Sequence, residues 1–135
     1  NFYLLDKDKV DKKIQYGFHS NYESYNDLSI TRKILEKNSV DKDQIYIFNV
    51  DNQIIIKEPI DLVISLKSMG YHYPFEKYLD SFKKWCSSEC TFIFDIAANK
   101  YDDFYFLKYF RNIEIIYEEK GIHPLKRLIC KNFIK

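Results

Sequence analysis

The stretch Ile60-Asp61-Leu62-Val63-Ile64-Ser65-Leu66 is apolar almost without interruption, with Pro59 before it and a polar, glycine-containing segment after it. A half-buried strand alternates apolar and polar residues. A run without that alternation suits a strand covered on both faces, as parallel strands usually are. Parallel neighbours cannot be joined by a tight hairpin, so each return needs a crossover, most often a helix. This run therefore calls for strands and helices in alternation, an α/β chain rather than a helical bundle or a sandwich.

The rest of the sequence supplies that alternation. Phe2-Tyr3-Leu4-Leu5 reads as a short strand stopping at the charged run Asp6-Lys7-Asp8-Lys9. Leu28, Ile34 and Leu35 share one helix face, with N-cap oxygens ahead of them on Ser24, Asn26 and Asp27, which predicts a helix over about 26–38. Between them, Tyr16 to Tyr25 carries three tyrosines with no clean period and reads as a wrapping loop or a short helix. Ile45 to Val50 is a β-branched and aromatic strand ending in the turn formers Asp51-Asn52, and Gln53 to Lys57 is extended. Pro74 suits a first helical turn, and Phe75, Tyr78, Leu79, Phe82 and Trp85 recur at helical spacing, predicting an amphipathic helix over about 75–86.

Thr91 to Ile96 is another buried strand, after which Phe104, Leu107 and Phe110 are spaced to share a helix face. Ile113 to Glu118 and Lys126 to Phe133 flank the hairpin signal Glu119-Lys120-Gly121-Ile122-His123-Pro124. The predicted architecture is a mostly parallel sheet with an antiparallel pair at its edge.

At 135 residues the chain has the length of a single domain. Its 21 Lys and Arg against 20 Asp and Glu leave a formal charge of +1, and no basic cluster tracks a surface, so neither nucleic acid nor an anionic membrane is expected as partner. No apolar run reaches the roughly 18 residues of a membrane span. The three glycines, Gly17, Gly70 and Gly121, are isolated, which excludes both common glycine-rich phosphate loops. Cys86, Cys90 and Cys130 are odd in number and form no disulfide framework; reduced, semi-buried thiols of a soluble cytoplasmic protein are the expectation. The opening on a strand-like run without an initiator Met predicts a domain whose beginning is missing.

An acid closes the opening strand in Phe2-Tyr3-Leu4-Leu5-Asp6. Asn49 and Asp51 stand at the end of the strand after the helix, Asp61-Leu62-Val63-Ile64-Ser65 forms the middle strand, and a hairpin closes the chain. In that order these residues resemble the class I S-adenosylmethionine-dependent methyltransferases, from the family's second strand onward. The resemblance implies a Rossmann-like sheet that lacks its first strand, the one carrying the family's glycine-rich turn. It also implies S-adenosylmethionine as cofactor, with Asp6 on the ribose hydroxyls, Asn49 or Asp51 at the adenine, and Ser65 facing cofactor and substrate. Ligands of open α/β sheets bind beyond the carboxyl ends of the strands, where Asp6, Asp51 and Ser65 would project together. A carboxylate suits ribose because its two oxygens accept from both vicinal hydroxyls.

The segment Ser65 to Pro74 would face the methyl acceptor, a small molecule for which a sugar hydroxyl is the favoured reading. His72, which titrates in the right range, is the candidate base. His19 and His123 have weaker claims. The sequence departs from the family twice: too little chain lies between Asp51 and Pro59 for a crossover helix, and Lys9 to Asp43 is longer than one helix needs, which would let Tyr16 to Tyr25 form a substrate-side lid. The rival reading is a non-catalytic Rossmann-like module for binding or subunit contact. Removing the family's first strand parts the sheet between its second and fourth strands, and unpaired edges invite another chain, including a second copy in a homo-oligomer. A flavodoxin-like or receiver-type domain is a third reading, opposed by the terminal hairpin.

Overall fold

The computed structural model describes residues 1–6, 9–10, 25–102 and 104–135. The chain gathers into two compact units, Asn1–Ile55 and Ile56–Lys135.

In the first unit, β1 (Phe2–Asp6) lies parallel to β4 (Ile45–Asn49), paired from Phe2 opposite Ile45 to Asp6 opposite Asn49. Tyr3 stacks on Tyr46 at 5.2 Å and Phe48 at 6.4 Å between ring centres, so the aromatic residues of both runs pack on one another across the ladder. β2 (Lys9–Val10) and β3 (Tyr25–Asn26) make a two-residue antiparallel ladder. The expected lid at Tyr16 to Tyr25 lies, apart from the backbone of Tyr25, outside the described residues.

The predicted first helix is α1 (Leu28–Lys37), capped by the Asp27 carboxylate, which accepts from the Ser29 N–H at 2.9 Å. Its inner face differs from the expected one. Leu28 is buried, Arg32 and Leu35 are partly covered, and Ile34 stands 54% exposed. Residues 28, 32 and 35 follow steps of four and three, whereas Ile34 is turned about 100° from its neighbour Leu35. Arg32 occupies the inner row because its guanidinium donates to the Ile45 carbonyl at 2.9 Å, tying helix to strand. A 3-10 turn over Lys42–Gln44, capped by Asp41, delivers the chain into β4.

The second unit is a four-stranded sheet in the order β5-β6-β8-β7, made of β5 (Ile60–Ser65), β6 (Cys86–Ala97), β7 (Phe110–Glu119) and β8 (Leu125–Phe133). β5 and β6 are parallel, while β6/β8 and β7/β8 are antiparallel. This sheet is therefore mixed rather than mostly parallel, because the terminal hairpin folds back to place β8 beside β6. Residues 50–59 form no helix, as the short spacing required.

α2 (Glu76–Trp85) follows Pro74 as predicted and lays Phe75, Phe82, Tyr78, Leu79 and Trp85 against the sheet. Phe75 is fully buried, with Phe82, Phe94, Phe106, Tyr109 and Phe110 all within 5.8 Å of its ring centre. Much of the chain's 18% aromatic content goes into this one core.

Two local expectations change. The helix expected from Phe104, Leu107 and Phe110 is a 3-10 turn over Tyr105–Lys108, with Phe104 and Leu107 exposed and Phe106 and Phe110 buried, because Phe110 already belongs to β7. The Ile60–Leu66 run is not covered on both faces: Leu62 and Ile64 stand 50% and 60% exposed. β5 is the terminal strand of its sheet, and among the described residues it pairs only with β6. No helix among the described residues is long and apolar enough to cross a membrane.

Candidate cofactor and substrate site

Three of the predicted site residues come together in the first unit. Asp6 and Asn49 are register partners at the carboxyl ends of β1 and β4, so their side chains leave the same face of the ladder. The Val50 N–H donates to the Asp6 carbonyl at 3.1 Å, carrying the ladder one residue further. Asn49 then organises the turn. Its Oδ1 accepts from the Asp51 N–H at 3.0 Å and its carbonyl from the Asn52 N–H at 3.0 Å. This Asx turn is the local reason for asparagine at the strand end. It also divides the polar groups: Asn49 keeps its amide N–H donors, while Asp6 and Asp51 present exposed carboxylates.

Ser65, the last residue of β5, and His72, on the loop that follows, belong to the second unit. The Ser65 hydroxyl accepts from the Met69 N–H at 3.0 Å, and the Ser68 carbonyl accepts from the N–H groups of Tyr71, His72 and Tyr73 at 2.7–3.1 Å. Ser65 is thus the first brace of a folded loop. Gly70, at φ +83°, lies against β6, donating to the Tyr73 carbonyl at 2.7 Å and accepting from the Ala97 N–H at 3.2 Å. A Cβ there would sit 2.9 Å from the Asp95 carbonyl oxygen, so glycine is required for this approach.

The exposed His72 ring meets Tyr71 edge-on at 4.9 Å. Partial desolvation, followed by the positive charges of Lys100 and Lys67, holds its pKa below the usual histidine value. The imidazole is therefore neutral at neutral pH and able to accept a proton.

Sequence reasoning missed the residue that fastens this loop. Asp95 is completely buried on β6, directly across from Arg127 on β8. Its carboxylate accepts from Arg127 Nε at 2.7 Å and Nη2 at 3.1 Å, and from the Lys67 N–H at 2.9 Å. Lys67 has φ +50°, a conformation this bond helps to hold. The signal was present: a carboxylate within Thr91-Phe92-Ile93-Phe94-Asp95-Ile96 requires a partner, and buried carboxylates are paired.

A second unpredicted cluster gathers at the start of α2, where Glu76 accepts from the hydroxyls of Tyr105 and, at 3.0 Å, Tyr109. Lys108 lies 3.7 Å above the centre of the Tyr105 ring. Burial works to raise the Glu76 pKa, but the tyrosine hydrogen bonds and Lys108 outweigh it and leave it below the usual value. Among the described residues no three His, Cys, Asp or Glu side chains come together to hold a metal ion.

No family model matches the chain, and no curated protein does. Among solved structures, the chain is similar to a crystal structure from Haemophilus influenzae described as a "putative methylase", with a TM-score of 0.47 and 14% identity. The alignment covers 76% of this chain and 65% of that one, so the chain spans just under two thirds of that protein's length.

Proposed function

We propose that this chain is the larger part of an S-adenosylmethionine-dependent methyltransferase domain acting on a small-molecule acceptor, with a sugar hydroxyl as the favoured substrate. The observation that carries the reading is the division of the strands. β1 and β4, corresponding to the family's second and third strands, form a parallel pair. β5 and β6, corresponding to the fourth and fifth, form another, and β7 and β8 pair antiparallel as the sixth and seventh would. Neither sheet, among the described residues, contains a strand that would correspond to the family's first.

The polar groups at the ends of β1 and β4 support this reading. Asp6 would accept from the ribose hydroxyls, Asp51 from the adenine amino group, and the Asn49 amide would donate to a ring nitrogen. The bound cofactor would supply a methyl group on a sulfonium. In the other unit the braced loop from Ser65 would hold His72, neutral, to take the acceptor's proton.

Calorimetry with S-adenosylhomocysteine tests this reading. A chain extended upstream is expected to bind in the micromolar range and this 135-residue chain weakly or not at all. Asp6→Ala should weaken binding, and His72→Gln should lower turnover more than cofactor affinity. Absence of binding to the extended chain would overturn the enzyme reading and leave the non-catalytic module.

A further inference from the structure

The cluster at the start of α2 surrounds a positive charge with ring faces. The 3-10 turn over Tyr105–Lys108 brings Tyr105, Lys108 and Tyr109 to the Glu76 end of the helix. The Lys108 ammonium lies 3.7 Å from the centre of the Tyr105 ring, 4.9 Å from that of Tyr109 and 3.9 Å from Glu76 Oε1. The two ring centres are 6.5 Å apart and their planes cross at 67°. The ammonium therefore sits in the corner between two steeply inclined aromatic walls, beside a carboxylate.

The walls and the cation are held differently. Tyr105 packs on Tyr101 at 4.8 Å and on Phe106 at 5.1 Å, and Tyr109 packs on the fully buried Phe75 at 5.1 Å. Both hydroxyls donate to the same Glu76 oxygen, which fixes the outer ends of the rings. Donation to a carboxylate also polarises each phenol and enriches the ring face that attracts a cation. Lys108, by contrast, rides on a flexible four-carbon stem with half of its side chain exposed. Its ion pair with Glu76 is of the exposed kind that contributes little. The box is built before the cation enters, and its present occupant is exchangeable.

We propose that Tyr105, Tyr109 and Glu76 form a binding site for the methylated ammonium group of a small molecule, which enters by displacing the Lys108 side chain. A quaternary ammonium suits the corner better than a primary one. Its charge is spread over methyl groups that pack on ring faces, and it gives up less hydration on entering. Lys108 acts as a tethered competitor, so the apparent affinity is the intrinsic one reduced by the fraction of time the box stands vacated. Glu76 follows His72 by four residues, on the segment leaving β5. Binding of the ammonium requires no methyl donor, and the proposal is independent of methyl transfer.

The test is a titration of the 135-residue chain with choline, followed by the proton resonance of its methyl groups, which ring currents move upfield when they lie over a tyrosine face. A saturable upfield shift is expected. The uncharged alcohol with carbon in place of the choline nitrogen should show none. Lys108→Ala, which removes the internal competitor, should tighten choline binding about five- to tenfold. Tyr105→Ala should abolish it, and Glu76→Gln should weaken it. Absence of a saturable shift in both the native and Lys108→Ala chains, binding no tighter in Lys108→Ala, equal binding of the uncharged analogue, or a shift that survives Tyr105→Ala would overturn the proposal. Lys108 is exposed and the analogue comparison uses the unsubstituted chain, so these two arms decide the matter even if Tyr105→Ala fails to fold.

Discussion

Removing either partner of the Asp95–Arg127 pair should destabilise the second unit, and by unequal amounts. Asp95 is completely buried, while the Arg127 side chain is 30% exposed. In Arg127→Ala the carboxylate keeps only the Lys67 N–H and remains where water does not reach it. Breaking a buried pair in this way costs about 3–5 kcal/mol. In Asp95→Ala the guanidinium can turn outward to solvent, and the loss is that of hydrogen bonds to a charged group, about 1.5–3 kcal/mol. The double variant removes the orphaned charge along with its partner, so it should be more stable than Arg127→Ala alone and far short of additive. Urea unfolding of the two single variants and the double variant measures all three quantities. Arg127→Ala proving milder than Asp95→Ala, or the double variant falling to the sum of the singles, would refute the assignment of the carboxylate as the desolvated member. Glu119→Gln serves as a control, since its pairing with Lys67 at 4.0 Å is exposed and worth about 0–1 kcal/mol.

Gly70→Ala should cost about 2–4 kcal/mol in the same assay, combining left-handed strain with overpacking against Asp95, Ile96 and Phe94, and should exceed Gly121→Ala, whose added Cβ meets open space. His72 has a lowered pKa in the fold, so as pH falls the unfolded chain protonates first, near 6.5. Its contribution is present above that pH and is lost as pH drops through the lower folded value, and His72→Gln should flatten this slope in denaturation midpoints measured across pH. Tyr105 is pushed up to about 12, chiefly by its hydrogen bond to Glu76. Glu76→Gln should return it toward 10, read as a difference in tyrosinate absorbance against Tyr105→Phe, and an unchanged titration would remove Glu76 as the cause.

Legibility in the sequence followed the range of the physics. Local signals carried through: the Asp27 cap, Pro74 ahead of α2, the Phe75–Trp85 face and the turn before β8 all depend on neighbours within a few residues. Periodicity failed where a tertiary partner set the pattern. Arg32 took an inner position because a carbonyl on β4 satisfies it, and Phe110 left its apparent helix for a strand partner in Phe133. Residues 86–90 gave no strand signal, because pairing across a bulge leaves no alternation to detect. Of the candidate site, Asp6, Asn49 and Asp51 were readable from strand ends, whereas Asp95 and Arg127 are separated by 32 residues and meet only through the β6/β8 register.

The aromatic residues show how such a count acquires meaning. As composition, 12 Tyr and 11 Phe fit a substrate wall and a core equally well. In the second unit six phenylalanines differ in setting from Tyr71 and Tyr73. Phe75, Phe92, Phe94, Phe106, Phe110 and Phe133 are buried in mutual ring contact, and their hydrophobic burial is sufficient reason for them. Tyr71 and Tyr73 are only partly buried, flank His72, and lie on a loop fixed from beneath by Ser65, Gly70 and Asp95. An acceptor bound at this loop would meet two phenol rings and a neutral imidazole on a rigid base. Under the proposed function, these groups would give a compact hydroxylated acceptor ring faces to pack on and hydroxyl groups to exchange hydrogen bonds.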